Sequence, residues 1–78
     1  MQEKKTRLVI TFYTTAAVMA TEHICKEAGI PGRIIPVPRS LTSDCGMAWC
    51  MAPEDRDRLE QAWTGRRPDA EGFHVMEL

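Results

Sequence analysis

The sequence predicts an α+β fold of the ferredoxin-like type, a β-α-β-β-α-β plait in which two helices cover one face of a four-stranded antiparallel sheet. The first observation is length, since 78 residues bound the chain to a single domain, residues 1–78. The second is composition, because 44% hydrophobic and 27% charged residues are typical of a globular domain. The third is the order of the predicted elements, which is that of the plait. The first β-α-β unit should form a right-handed crossover, and this leaves room for the third strand between the first two.

The chain is predicted to begin with a flexible, polar lead-in over residues 1–6, followed by a central strand over Arg7–Tyr13. The strand segment is dense in β-branched and aromatic side chains, which are enriched in sheets. Side chains alternate between the two faces of a strand, so Val9, Thr11 and Tyr13 share one face.

A helix of about 14 residues is predicted next, because Thr14 and Thr15 supply an N-cap. Gly29 has the position of a residue that ends a helix, and Pro31 prevents the helix from continuing. The apolar stripe that we expect to face the sheet consists of Ala17, Ala20, Thr21, Ile24 and Ala28.

The rest of the chain predicts three strands and a second helix. Arg33–Val37 is the second strand, and Pro36 places it at a sheet edge because proline has no N–H to donate. Gly46–Met51 has an alternating pattern and predicts the third strand. Pro53 fits the first turn of the second helix, and Gly72–Leu78 is the last strand.

Charge and hydropathy limit the classes of partner. The formal net charge is −1 and the pI about 6.1, which argues against nucleic acid, since that ligand favours a basic face. No apolar run approaches the roughly 18–20 residues of a membrane span, and a signal-peptide pattern is absent, so we expect a cytoplasmic protein without a membrane partner. Three cysteines agree with a reducing compartment, because an odd count is a poor disulfide framework.

Ser43, Asp44, Cys45 and Gly46 form the strongest local signal for chemistry, in a turn-forming segment before the third strand. The predicted topology brings this segment to the end of the sheet where Thr14–Thr15 starts the first helix. Backbone N–H groups and the helix dipole stabilise an anion there, which favours the reactive thiolate of Cys45. Gly46 permits close approach of a partner, whereas the carboxylate of Asp44 opposes ionisation unless it points away. The alternative is that Cys45 is a small apolar residue that closes a turn.

The other two thiols are weaker candidates. In an extended strand, odd spacing places Cys45 and Cys50 on opposite faces and about 16 Å apart, so a disulfide between them needs a sharp bend at Gly46. Their spacing is also a weak metal signal, because zinc-binding pairs lie about two to four residues apart and occur in sets. No metal is therefore expected. Cys25 is expected to be a packing residue of the first helix.

Two arginines complete the candidate site. Arg33 and Arg39 are expected to flank the loop before Cys45 and to favour an anion there, the alternative being solvated surface charges. The acidic and basic residues of Glu54–Arg58 are typical of a solvated helix face. The sequence shows neither a glycine-rich phosphate loop nor the paired carboxylates of a hydrolase.

Three motifs follow one another in the middle of the chain: Ala-Gly-Ile-Pro from Ala28, Arg-x-Ile-Pro-Val-Pro-Arg over Arg33–Arg39, and Ser-x-Cys-Gly over Ser43–Gly46. Together with the first strand and the acidic start of the second helix, they resemble the small bacterial family of selenium/sulfur carrier-like proteins. The resemblance extends from Val9 to about Leu59.

The resemblance implies that Cys45 accepts sulfur or selenium, as a persulfide or selenosulfide, and passes it to an acceptor by nucleophilic exchange. It implies a carrier more than a turnover enzyme, with a cysteine-desulfurase-type donor and an acceptor protein as partners and with no cofactor. Family members usually have another residue at the position of Cys50. If Cys50 reaches Cys45, it would be a resolving thiol that displaces the adduct by forming a disulfide.

The alternative function is that of an interaction or regulatory module without covalent chemistry. A four-stranded plait leaves one sheet face open, and here that face is expected to present Val9, Thr11 and Tyr13 to a partner or to a second copy of the chain. A homodimer through this face is physically natural.

Overall fold

Four strands and two α-helices follow one another in the predicted order, and the fold is the predicted α+β plait. The computed structural model describes residues 5–41, 45–65 and 68–78 of the 78-residue chain. The elements are β1 (Thr6–Phe12), α1 (Thr15–Ala28), β2 (Gly32–Pro36), β3 (Met47–Met51), a 3₁₀-helix (Pro53–Asp55), α2 (Arg56–Ala62) and β4 (Ala70–Glu77).

The sheet has the strand order β2-β3-β1-β4, and every neighbouring pair is antiparallel. β3 therefore lies between β1 and β2, as the crossover through α1 predicts. β2 is an edge strand, and Pro36 is its last residue, so the proline interrupts no inner ladder. The central position of β1 and the edge position of β2 are both confirmed.

The lead-in is shorter than predicted. β1 begins at Thr6, and Lys5 and Leu78 exchange two backbone hydrogen bonds of 3.0 Å. These bonds extend the ladder between β1 and β4 by one residue, because the register pairs Thr6 with Glu77. Residues 1–4 lie outside the described residues.

The core lies between the sheet and the helices. Alternate residues of β1 and β3 point towards α1 and α2, and the two tryptophans are almost fully buried there. Removal of this apolar surface from water, at about 25 cal/mol per Å², stabilises the two-layer arrangement. The buried core residues are Leu8, Ile10, Phe12, Ala17, Val18, Ile24, Cys25, Ile30, Trp49, Met51, Leu59 and Trp63.

Both ends of α1 are fixed by specific groups. The Oγ1 atom of Thr14 accepts a hydrogen bond of 3.1 Å from the N–H of Ala17, as predicted for an N-cap. Gly29 has a left-handed φ of 71°, which ends the helix. Arg58 of α2 donates to the carbonyls of Ala28 and Gly29 at 3.3 and 3.2 Å, so a cation satisfies the C-terminal carbonyls of α1 and links the two helices.

The buried stripe of α1 differs from the predicted one. Ala20 and Ala28 are exposed, so the prediction was wrong at these two positions, and Val18 is buried although the predicted stripe omits it. The observed stripe has the same helical period but is turned slightly around the axis. It places larger side chains against the sheet, which buries more apolar area than the alanines would.

Gly32 lets the indole of Trp49 lie against the backbone of β2. A Cβ atom at position 32 would overlap the indole ring and lie 2.9 Å from the carbonyl oxygen of Cys50. This close approach explains a glycine inside a strand, where the residue otherwise costs backbone entropy.

Gly32→Ala is expected to lower the free energy of unfolding by about 1–3 kcal/mol, because the indole of Trp49 must move to admit the methyl group. Gly72→Ala is the matched control in the other edge strand, since its methyl group meets chiefly the end of the His74 side chain, which can rotate. Urea denaturation of both variants measures the difference. Equal losses would show that the contact between Gly32 and Trp49 is not what stabilises this edge.

Candidate functional site

Cys45 lies at the end of the sheet where α1 begins. β1 and β2 are both antiparallel to β3, so the connection from β2 to β3 and the connection from β1 to α1 are at the same end, as predicted. Cys45 comes two residues before β3, is partly exposed, and packs against the core on the helix side. The residue therefore has one apolar flank and one flank open to solvent.

A glycine bend shapes the surroundings of this thiol. The Sγ–H group of Cys45 donates a hydrogen bond to the carbonyl of Met47, with an Sγ–O distance of 3.2 Å. Gly46, between them, has a left-handed φ of 75°, and its carbonyl accepts a hydrogen bond of 3.2 Å from the N–H of Val37. Apart from its two chain neighbours, no described residue has an atom within 4 Å of a Cβ atom placed at Gly46.

The start of α1 has the predicted N-cap at this end of the sheet. Thr14 and Thr15 are exposed, and the first turn of α1 contains no acidic residue that would offset the positive end of the helix dipole. The stabilisation of a Cys45 thiolate by this helix end stays a prediction. Ser43 and Asp44 lie outside the described residues, so their influence on the thiol also stays a prediction.

Arg33 and Arg39 do not lie together. Arg39 is exposed in a turn that follows β2. Arg33 is the second residue of β2 and pairs with Cys50 in the register with β3. Because Cys50 lies near the end of β3 that is farther from Cys45, the prediction that Arg33 flanks the loop was wrong. Register between strands, which the sequence pattern does not reveal, determines this position.

Cys50 faces away from the helices. Trp49 and Met51, its neighbours in β3, point into the core, and alternation turns Cys50 to the open face of the sheet. Cys45 packs on the helix side, so the two thiols are on opposite faces, as expected from their spacing. No disulfide joins the cysteines, and Cys50 does not reach Cys45 in this structure. The resolving role of Cys50 has no geometric support here.

A cleft that the sequence analysis missed opens beside Cys50. It has a volume of about 350 Å³, and Arg7, Arg33 and Cys50 line it. The register pairs Cys50 with Val9, two residues from Arg7 on the same face of β1. Alternation alone gives the face of each residue, but only the register across three strands shows that these side chains converge.

The open face exposes less apolar surface than the interaction-module hypothesis requires. Val9 and Thr11 have exposed fractions of 0% and 1%, and of the three predicted residues only Tyr13 is exposed, at 51%. β1 is an inner strand, so the side chains of both neighbouring strands shield its shorter residues. The prediction that Val9 and Thr11 are presented to a partner was therefore wrong.

Cys25 is a packing residue, as predicted. Its side chain is fully buried between α1 and the sheet, and this burial raises the pKa of the thiol from 9.0 to about 11. The thiolate is the nucleophilic form, so burial keeps Cys25 unreactive.

Among the described residues, no group of three or more histidine, cysteine or acidic side chains is arranged to hold a metal ion. Within the same ranges, no helix combines the length and the apolar character needed to cross a membrane.

The fold is a plait with a partly exposed thiol beside a glycine bend. Together these features define a small α+β protein with an accessible cysteine. Residues 7–75 match the family described as “Putative Se/S carrier protein-like”, and the chain belongs to that family. The match begins in β1 and ends in β4, so it includes both thiols outside the core and extends the resemblance to almost the whole fold. No curated protein and no solved structure matches the chain significantly.

The raised pKa of Cys25 predicts a loss of stability at high pH. Below pH 9.0 the thiol is protonated in the folded and unfolded states alike; between 9.0 and about 11 the unfolded chain loses this proton while the folded chain keeps it. The free energy of unfolding should then fall by up to about 1.4 kcal/mol per pH unit. Urea denaturation across this range should show a flatter profile for Cys25→Ala than for the wild type. Identical slopes would contradict the raised pKa.

Proposed function

We propose that this protein holds sulfur or selenium on Cys45 and transfers it from a cysteine-desulfurase-type donor to an acceptor protein in the cytoplasm. The observation that supports this most is the position of Cys45. It is a partly exposed thiol next to a glycine bend, in a chain that belongs to the Se/S carrier-like family. A carrier needs such a thiol, because donor and acceptor must both approach the same sulfur atom.

The three thiols differ in their suitability for transfer. Cys25 is fully buried and its pKa is raised, so a donor protein has no access to it. Cys50 is 5% exposed and lies on the floor of a sheet face, where a protein-borne persulfide approaches with difficulty. Cys45 is partly exposed at the end of the sheet, where a protein surface can approach.

Loading and release are both exchange reactions. The thiolate of Cys45 attacks the outer sulfur of a donor persulfide; an S–S bond forms on Cys45, the donor's S–S bond breaks, and the donor cysteine leaves as a thiolate. An acceptor thiolate then attacks the outer sulfur on Cys45 in the same way. Each bond formed is balanced by a bond broken, so this exchange requires no cofactor. With selenium the intermediate on Cys45 is a selenosulfide.

The contacts of Cys45 suit this cycle. Its Sγ–H group donates a 3.2 Å hydrogen bond to the carbonyl of Met47, and this bond is given up when the sulfur takes up the transferred atom. The first turn of α1, which begins at the same end of the sheet, contains no acidic residue that would repel an anionic sulfur or selenium adduct. Beyond its chain neighbours, no described residue lies within 4 Å of a Cβ atom placed at Gly46, which supports access of a partner to this bend.

Incubation of the wild-type protein with a cysteine desulfurase and cysteine is expected to add the mass of one sulfur atom to Cys45, and none to the buried Cys25. Mass spectrometry of peptides, with thiols blocked under native conditions, locates the addition. Cys45→Ser should abolish loading, whereas Cys25→Ser and Cys50→Ser should retain it. An unmodified Cys45 together with a modified Cys50 would contradict the proposal.

Gly46→Ala is expected to slow the loading of Cys45, because the new methyl group belongs to the residue next to the thiol and narrows the approach of a partner. Gly65→Ala is the matched control: both glycines have a left-handed φ, of 75° and 79°, and neither added Cβ atom meets a described atom within 4 Å. Each variant should lose about 1–2 kcal/mol of stability from the strained backbone. Equal loading rates in the two variants would show that the space beside Gly46 is not used.

A further inference from the structure

The cleft on the open face of the sheet is a second site, separate from Cys45. Its volume of about 350 Å³ is in the range of small-molecule pockets. Arg7 of β1, Arg33 of β2 and Cys50 of β3 line it together with Asp55 and the backbone near Gly32. Three different strands therefore supply the side chains that surround one space.

The register explains why the two arginines converge. Arg33 is the direct partner of Cys50, and directly opposed residues have Cβ atoms about 4.5–5.5 Å apart. Arg7 is the diagonal neighbour of Cys50 on the other side, at about 7–8 Å. The long arginine side chains thus have the Cys50 thiol between them.

The charge of the cleft is positive. Neither Arg7 nor Arg33 has an ion-pair partner among the described residues. The carboxylate of Asp55 is paired with Arg58 at 3.4 Å, so its charge is already compensated from α2. Two arginines that have no counterion within the described part of the chain therefore line a small, partly enclosed volume.

We propose that this cleft binds a small molecule through an oxyanion group, either a carboxylate or a tetrahedral oxoanion. The planar guanidinium group matches both, because each presents two oxygens that accept parallel N–H bonds. Cys50 lies at the bottom of the cleft, where the rest of the ligand would make contact. The small side chain of Cys50 leaves space for that part of the ligand. The site goes beyond the carrier function, since the sheet separates it from Cys45.

Titration of the ¹⁵N-labelled full chain with sulfate and with succinate tests the proposal by nuclear magnetic resonance. At constant ionic strength, we expect saturable shifts of the amides of Arg33, Cys50 and Ala52 with at least one of the two anions. Saturation with sulfate alone would show that the cleft binds a tetrahedral oxoanion. Saturation with succinate alone would show that it binds a carboxylate. No saturable shift with either anion would overturn the proposal.

Arg7→Gln and Arg33→Gln should each raise the Kd for the bound anion about tenfold or more. Each substitution removes a group that forms charge-assisted hydrogen bonds. Arg39→Gln is the matched control, an exposed arginine outside the cleft that should leave the Kd unchanged. Cys45→Ser should also bind normally, which distinguishes this site from the carrier thiol. Equal weakening by Arg39→Gln would overturn the proposal by showing general charge attraction.

A second measurement needs only the wild-type protein. The bound anion should slow alkylation of Cys50 by iodoacetamide, whereas Cys45, on the other side of the sheet, should react at an unchanged rate. Peptide mass spectrometry over time gives both rates from one sample. Equal slowing of both thiols would count against a site at Cys50.

Discussion

The insertion of β3 between β2 and β1 is the constraint on which the rest of the structure depends. Paired on both sides, the strand has no freedom to shift its register without moving Trp49 out of the core. The same pairing turns Cys50 to the open face and places Cys45 at the end of the sheet where α1 begins. The surroundings of both thiols are therefore consequences of one strand's position.

Features that depend on local chemistry could be predicted from the sequence. Thr14 caps α1 because its hydroxyl oxygen accepts a hydrogen bond within the first turn, and Gly29 ends α1 because it tolerates a positive φ. Both effects involve only residues within one helical turn. Pro36 lies at an edge because its missing N–H excludes an inner position. The stripe of α1 could not be predicted, since two adjacent stripes have the same period and packing against the sheet selects between them, as Val18 shows.

The candidate site likewise has features that could be predicted from the sequence and features that could not. The location of Cys45 followed from topology, because the connection between β2 and β3 must lie at the end where β1 leads into α1. The places of Arg7 and Arg33 depend on register across three strands, and the burial of Val9 depends on shielding by neighbouring strands. Alternation in one strand gives the face of a side chain but neither its neighbours nor its exposure.

The sheet insulates the sulfur atoms of Cys45 and Cys50 from each other. With one thiol packed on the helix side and the other on the open side, the hydrogen-bonded backbone forms a wall between them. An atom attached to either sulfur has no internal route to the other and must leave through solvent or through a second molecule. In this fold the two thiols are therefore kept from direct contact with each other.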